Sequence, residues 1–309
     1  MNRIILIGNG FDLAHGLKTS YKDFIDDYLT NKVNSIVQDG NYIHFHEGYT
    51  AVRNNPTIYK DEDIIIVWRE PMGLSNNYSI VPKIIQSFFN TENIKINISY
   101  NNAFLEKIMT AYYDKKWVDI EDDYYKELKN CIKEANKIDK LNQDFKQIKN
   151  ELKIYLGKVN DELMIYKIDF PITRIMAKIY ANSEQINSIL FLNFNYTTTH
   201  KFYSGEYNQD RYYSINPNHV GKIKRESIQI HGSLKEANNN PIIFGYGDEI
   251  GKEYLEIENL NDNRFLENIK SIKYLETRNY KKLDNFINSD KYQILLPLTP
   301  SYFEAELTK

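Results

Sequence analysis

Residues 3–12 read Arg-Ile-Ile-Leu-Ile-Gly-Asn-Gly-Phe-Asp and give the clearest indication of the fold. A continuous apolar run that ends at Gly8 is typical of a strand buried on both faces, as in a parallel sheet. From Tyr21 onward the apolar residues recur at helical spacing, and Thr19 or Ser20 is suited to cap that helix. The sequence therefore predicts a strand, a glycine turn and a helix in succession.

Later parts of the chain repeat this alternation. Apolar residues at helical intervals fill much of residues 100–165 and of 257–287. Together with the strand-like runs, they predict an α/β fold: a Rossmann-like, mostly parallel sheet flanked by helices. Since no repeat or Gly/Ser linker divides the chain, we expect one domain over residues 1–309, with residues 100–165 as a helical insertion. The strand-like runs are Ser188–Phe194, Ile228–Ile230, Ile242–Phe244 and Tyr292–Leu296.

The composition excludes several classes of protein. Of the 309 residues, 42% are hydrophobic and 26% are charged, which argues against global disorder, and a net charge of −3 gives no general attraction to nucleic acid. No apolar run approaches the roughly 20 residues that a membrane helix needs, and a strand rather than a secretory signal follows Met1. The single cysteine, Cys131, excludes a disulfide scaffold. We therefore expect a cytoplasmic protein that does not enter the membrane.

The first candidate site is the turn Gly8-Asn9-Gly10-Phe11-Asp12, directly after the first strand. Glycines at such a point let the backbone turn tightly and approach a phosphate, and the N–H groups of the next helix favour an anion. Leu13 stands where the third glycine of a dinucleotide fingerprint belongs. The alternative is an ordinary strand-to-helix turn that binds nothing.

Three further candidates follow later strands, where ligands bind in open α/β sheets. Asn195 in Asn193–Thr197 is suited to orient a water or a ribose hydroxyl, and the alternative is that it caps a helix beginning near Thr197–Thr199. His231-Gly232-Ser233 offers a proton-transfer group beside a glycine that permits close approach. The loop Phe244–Asp248, with Gly245, follows another run, and its alternative is an ordinary turn.

The order of these segments resembles the bacterial AbiH family of phage abortive infection proteins. The opening motif Ile7–Leu17 carries most of the resemblance, and the later blocks are Trp117–Glu121, Phe194–Thr197, Ile230–Leu234 and Phe244–Asp248. The resemblance implies antiphage defence triggered by a phage component. It also implies a further Gly-His-Ser loop near the carboxyl end, whereas this chain runs from Leu296 through Pro297-Leu298-Thr299-Pro300 to Lys309, so we expect a shortened or altered end there.

A more remote resemblance links the chain to sirtuin-like NAD-consuming domains of antiphage systems. Gly8 and Gly10 match their glycine turn, Asn195-Tyr196 their Asn-Tyr-Asp block, and His231-Gly232 their His-Gly pair. Thr197 replaces the expected Asp, so the role of that carboxylate does not carry over. This resemblance implies NAD as the ligand or substrate.

These observations lead to one main hypothesis and two alternatives. The main hypothesis is an antiphage effector that binds NAD or a related nucleotide and hydrolyses the nicotinamide–ribose bond as a glycohydrolase. The alternatives are a nucleotide-binding sensor or assembly module without catalysis, and a metal-dependent nuclease that uses Asp119 and Glu121. The main hypothesis predicts no metal site, and a homo-oligomer is compatible with each of the three. Its catalytic residues are His231 and Asn195, and its binding residues are Gly8, Asn9, Gly10, Phe11, Asp12, Tyr196, Gly232, Ser233 and Gly245.

Overall fold

A computed structural model describes residues 2–38, 57–60, 62–68, 96–115, 119–162, 186–204, 223–234, 240–247, 252–289 and 292–295. The strands among them are β1 (Asn2–Ile7), β2 (Thr57–Lys60), β3 (Ile64–Trp68), β4 (Ile96–Tyr100), β5 (Ser188–Asn193), β6 (Lys224–Gln229) and β7 (Tyr292–Leu295). The helices are α1 (Asn9–Ala14), α2 (Tyr21–Gln38), α3 (Ala103–Lys115), α4 (Ile120–Cys131), α5 (Ile138–Glu162), α6 (Lys201–Ser204), α7 (Lys252–Asn259), α8 (Lys270–Glu276) and α9 (Arg278–Ser289). The altered carboxyl end expected from the sequence lies outside these residues.

The chain forms two compact units. Unit 1 comprises residues 1–20, 152–249 and 268–309, and unit 2 comprises residues 21–151 and 250–267. Each of the candidate binding and catalytic residues belongs to unit 1. The expectation of a single domain with an insertion at 100–165 stays a prediction.

The sheet of unit 1 has the strand order β6-β5-β1-β7, and each neighbouring pair is parallel. In the register of these pairs, Ile7 lies opposite Asn193, which in turn lies opposite Gln229. Three strands therefore end at the same level. The residues that follow them emerge side by side at the carboxyl edge of the sheet.

The core of unit 1 follows from the apolar runs of the strands. On one face of the sheet Ile4, Leu190 and Ile228 pack with Phe286, and Leu283 of α9 lies against them. Ile5 and Ile7, which alternate with Ile4, are also buried. Burial on both faces is why β1 and β5 read as continuous hydrophobic runs rather than as alternating patterns.

The predicted α/β class and the parallel sheet flanked by helices are confirmed. In chain order the strands read third, second, first, fourth across the sheet, which is the central order of doubly wound dinucleotide-binding folds. The described strands do not make up a full Rossmann fold, so that finer assignment stays a prediction. None of the described helices is both long and apolar enough to cross a membrane.

One predicted strand in unit 1 is wrong. Ile242–Phe244 is irregular backbone, although Ile243 and Phe244 are buried. Ile243 donates its N–H to the carbonyl of His231 at 2.8 Å, and no ladder of bonds follows among the described residues. Burial explains the apolar run, because an apolar run indicates burial and not strand pairing.

Unit 2 contains an antiparallel sheet with the order β2-β3-β4 and the helices α2, α3, α4 and α7. The buried carboxylate of Asp144 accepts the N–H groups of Ala103 and Phe104, which begin α3. Tyr124 and Phe145 stack with ring centroids 3.9 Å apart. The central strand β3 pairs with β2 and with β4, and both pairs are antiparallel.

Candidate functional site

Gly8 is the point at which β1 turns into α1. Its backbone is extended, with φ −115° and ψ −177°, a conformation that any residue adopts. A Cβ atom built on Gly8 would meet no atom of the described residues within 4 Å. Neither backbone strain nor packing against these residues therefore explains the glycine, and they leave the space in front of it open to an incoming group.

The residues after Gly8 hold the turn in place. Gly10 lies within α1, and the exposed Asn9 accepts a hydrogen bond from the Thr19 hydroxyl at 2.6 Å. Phe11 is fully buried, donates its N–H to the Gly8 carbonyl at 2.9 Å and packs edge-on against Tyr203. The packing of Phe11 and the hydrogen bond from Thr19 thus hold the turn in place.

Asp12 is a buried carboxylate within α1, with 1% of its surface exposed. Its Oδ2 accepts a hydrogen bond from the Thr197 hydroxyl at 2.6 Å, whereas its Oδ1 has no hydrogen-bond partner. Burial raises the pKa of Asp12 to about 6, against the opposing effect of hydrogen bonds from Thr197, Thr199 and Asn195. Burying an ionisable group lowers the stability of the folded protein. Groups that are kept at this cost are typical of functional positions.

Asn195 joins the second segment to the first. Its side-chain Nδ2 donates to the carbonyl of Gly8 at 2.9 Å, and its backbone N–H donates to Oδ1 of Asn193. It does not cap a helix, since α6 begins only at Lys201. Asn195 therefore positions the Gly8 turn, and its own amide is largely buried.

The third segment is tied to the second through Gln229 and Tyr196. The side-chain Nε2 of Gln229 donates to the carbonyls of Tyr196 and Thr197 at 3.2 and 2.9 Å. The hydroxyl of Tyr196 donates to the carbonyl of Ile243 at 3.1 Å. These bonds bring the segments that follow β1, β5 and β6 together at one edge.

His231 lies among aromatic rings at this edge. Its ring is stacked on Tyr274, with centroids 5.9 Å apart and planes inclined by 8°, and lies at 5.5 Å from Phe194 and 6.1 Å from Tyr196. Burial, and to a lesser extent the charge of Lys270, lowers the pKa of His231 to about 4, although a hydrogen bond with the Phe194 backbone raises it. At neutral pH the imidazole is therefore uncharged.

The glycines beside His231 are required by close packing. Gly232 has φ +89°, and a Cβ there would clash with the carbonyl of Pro241. A Cβ on Gly245 would clash with the carbonyl of Asn268. Ser233 is buried and donates its N–H to the carbonyl of Asn240. These three residues shape the wall behind His231, and their predicted contact with a ligand stays a prediction.

Two residues at this edge, His200 and Lys270, are not predicted from the sequence. His200 is fully buried, and because Asn193 Nδ2 donates to its Nδ1, its Nε2 carries the proton and donates to Ser227 at 2.7 Å. Burial, followed by the charge of Lys201, lowers the pKa of His200 to about 3. Lys270 comes from the start of α8 and brings a positive charge near His231. The neighbouring sequence marks neither residue as part of a site, since His200 follows three threonines and Lys270 lies in a helix that is distant in the sequence.

The alternative metal site is not supported by the donor set of the described residues. Asp119 is the N-cap of α4, and its carboxylate accepts the N–H groups of Glu121 and Asp122. No three His, Cys, Asp or Glu side chains come together as metal ligands in the part of the chain that the structure describes. Asp119 and Glu121 thus lie at the start of a helix.

Comparison with known proteins gives one decisive result. A family model described as Bacteriophage abortive infection AbiH matches residues 4–296. The chain belongs to the AbiH family. No curated protein and no solved structure matches it. The resemblance to sirtuin-like domains gains no support from these comparisons.

Membership of the AbiH family connects the chain with abortive infection, in which phage defence is the expected context. The family match includes the three segments at the carboxyl edge of the unit 1 sheet. The family match names neither a substrate nor a reaction. Any proposal for these has to rest on the side chains at the carboxyl edge of the sheet.

Proposed function

We propose that this AbiH protein is an antiphage effector that binds NAD or a related nucleotide at the carboxyl edge of the unit 1 sheet and hydrolyses its nicotinamide–ribose bond. The observation that carries the binding is the open space at Gly8. A glycine that neither conformation nor packing requires leaves room for a phosphate to reach the backbone.

Two further features support an anionic nucleotide at this edge. The strand order places Gly8 beside the change of direction between β1 and β7, which is where open α/β sheets bind ligands. Lys270 adds positive charge beside His231, and the one carboxylate among the described edge residues, Asp12, is buried below the turn. Among the described residues, the edge therefore carries a cation and no exposed carboxylate.

The chemistry of the leaving group suits an edge with neutral side chains. Nicotinamide is bound to ribose as a pyridinium, so it leaves as a neutral molecule when the C–N bond breaks, and no acid has to protonate it. Water then forms the new C–O bond and releases one proton. The edge has to orient the water and shield the oxocarbenium-like transition state, for which a neutral His231 and the surrounding amides suffice.

The test of binding compares Gly8→Val with Gly157→Ala. Around both positions the described residues leave open space for the added Cβ, but Gly157 lies in the interior of α5 and not at the end of a strand of the sheet. We expect Gly8→Val to fold and to lose NAD binding in calorimetry, whereas Gly157→Ala binds like the wild type. Equal affinity in both variants would refute a ligand at Gly8.

The test of hydrolysis measures free nicotinamide from cells or lysates in which phage infection has activated the system. We expect the wild type to release nicotinamide, and His231→Ala to release much less. If the wild type and His231→Ala are equally inactive under these conditions, the glycohydrolase reaction is refuted.

A sensor without turnover is the second candidate, and the pKa of His231 near 4 favours it because so weak a base accepts a proton poorly. Thermal stabilisation by NAD without release of nicotinamide would select this function. Metal-dependent nucleic acid cleavage that Glu121→Ala abolishes would instead select the nuclease.

A further inference from the structure

Phe194 presents an exposed ring at the carboxyl edge of the sheet. It lies between two buried amides, Asn193 and Asn195, yet 38% of its own surface is exposed. Its N–H donates to the carbonyl of Ile7 at 2.8 Å. Because Ile7 and Asn193 are opposite each other in the register, Phe194 and Gly8 follow at the same level of the sheet. The backbone of Phe194 therefore lies beside that of Gly8, and its exposed ring lies at the same edge of the sheet.

Other rings hold Phe194 in this position. It meets His231 edge to face, with centroids 5.5 Å apart and planes inclined by 81°. His231 is itself fixed by its stacking on Tyr274. An aromatic ring that is supported by neighbours and still exposed loses little freedom when a flat ligand stacks on it.

We propose that Phe194 is the residue on which the planar base of the bound nucleotide stacks. This inference rests on the proposed function, since a nucleotide with its phosphate at Gly8 lies at the same edge of the sheet as the ring. Planar heteroaromatic bases stack on aromatic side chains whatever their hydrogen-bonding pattern. Adenine and nicotinamide share this chemistry, and the two mononucleotides that carry them tell the sources apart.

The experiment measures the affinity of NAD, AMP, nicotinamide mononucleotide and inorganic pyrophosphate for the full chain and its variants by calorimetry. We expect Phe194→Ala to weaken NAD binding about 5- to 150-fold, the range found when the ring under a stacked base is removed. The affinity for pyrophosphate stays unchanged, because it has no base. The mononucleotide that loses affinity identifies the stacked ring.

Matched variants separate stacking from a loss of apolar surface. Phe194→Leu keeps an apolar side chain without a ring, and we expect it to bind NAD less tightly than Phe194→Trp. Tyr280→Ala removes an aromatic ring of α9 that is 52% exposed, and it serves as the control with unchanged affinity. If Phe194→Ala does not fold, the Leu and Trp variants carry the comparison. Nucleotide quenching of the new Trp fluorescence in Phe194→Trp gives an independent signal.

The outcomes distinguish this inference from the proposed function. NAD affinity within twofold of the wild type in Phe194→Ala and Phe194→Leu overturns the stacking role but leaves nucleotide binding intact. A wild-type protein that binds none of the four compounds overturns both.

Discussion

The substitution Asp12→Asn tests whether the buried carboxylate at the edge of the sheet lowers the stability of the folded protein. The pKa of Asp12 rises from 3.8 in the unfolded chain to about 6 in the folded protein because the carboxyl group is buried. At about 1.4 kcal/mol for each tenfold change in a proton equilibrium, the ionised group costs about 3 kcal/mol. This cost is absent below about pH 4, develops between pH 4 and 6, and is complete above pH 6. About 2 kcal/mol of it falls between pH 4.5 and pH 8.

The measurement is urea unfolding of the wild type and Asp12→Asn across that pH range. We expect the variant to gain about 2 kcal/mol relative to the wild type as the pH rises from 4.5 to 8. Only the difference between the two proteins is informative, since the lowered pKa values of the buried His200 and the partly buried His231 make the protein less stable as the pH falls. The control is Asp119→Asn, which removes the same charge while keeping a good helix cap. Parallel profiles of the wild type and Asp12→Asn would refute the buried, ionising carboxylate.

Three further results follow from the geometry. Gly232→Ala and Gly245→Ala are each expected to lower the free energy of unfolding by at least about 2 kcal/mol in urea titrations, because the new Cβ meets backbone, and unchanged stability would contradict the packing. His200→Gln should flatten the loss of wild-type stability below pH 6.5, which amounts to about 1.4 kcal/mol per pH unit for a histidine kept neutral in the folded state, and an unaltered acid profile would contradict its burial as the neutral form. Lys270→Met should weaken NAD binding about fivefold and reduce its dependence on salt in calorimetry, and an unchanged salt dependence would place this charge away from the ligand.

The parts of the site that the sequence predicts are those with a local signal. Gly8, Asn195 and His231 each follow an apolar run, so their place at the end of a strand can be inferred from neighbouring residues alone. Parallel pairing then brings the ends of those strands to one edge. The sequence also located the start of α2 and the last strand, β7, to within a residue.

The remaining features depend on partners that are distant in the sequence. Thr197 meets Asp12 across 185 positions, and nothing near either residue indicates this pairing. Lys270 reaches the edge from a separate helix for the same reason. The run Ile242–Phe244 misled the strand prediction, because its hydrophobicity reflects burial against loops rather than pairing.

Hydrogen bonds from uncharged amide side chains connect the three turns at the edge of the sheet. Asn195 holds the carbonyl of Gly8, Gln229 holds that of Thr197, and Asn279 holds that of Gln229. Dissolved ions screen charged pairs but leave such neutral bonds nearly unaffected. We therefore expect the distances between the turns to stay the same from dilute buffer to molar salt. The dependence of ligand affinity on salt then reports the ionic contacts of the ligand itself, because the protein around the ligand does not change.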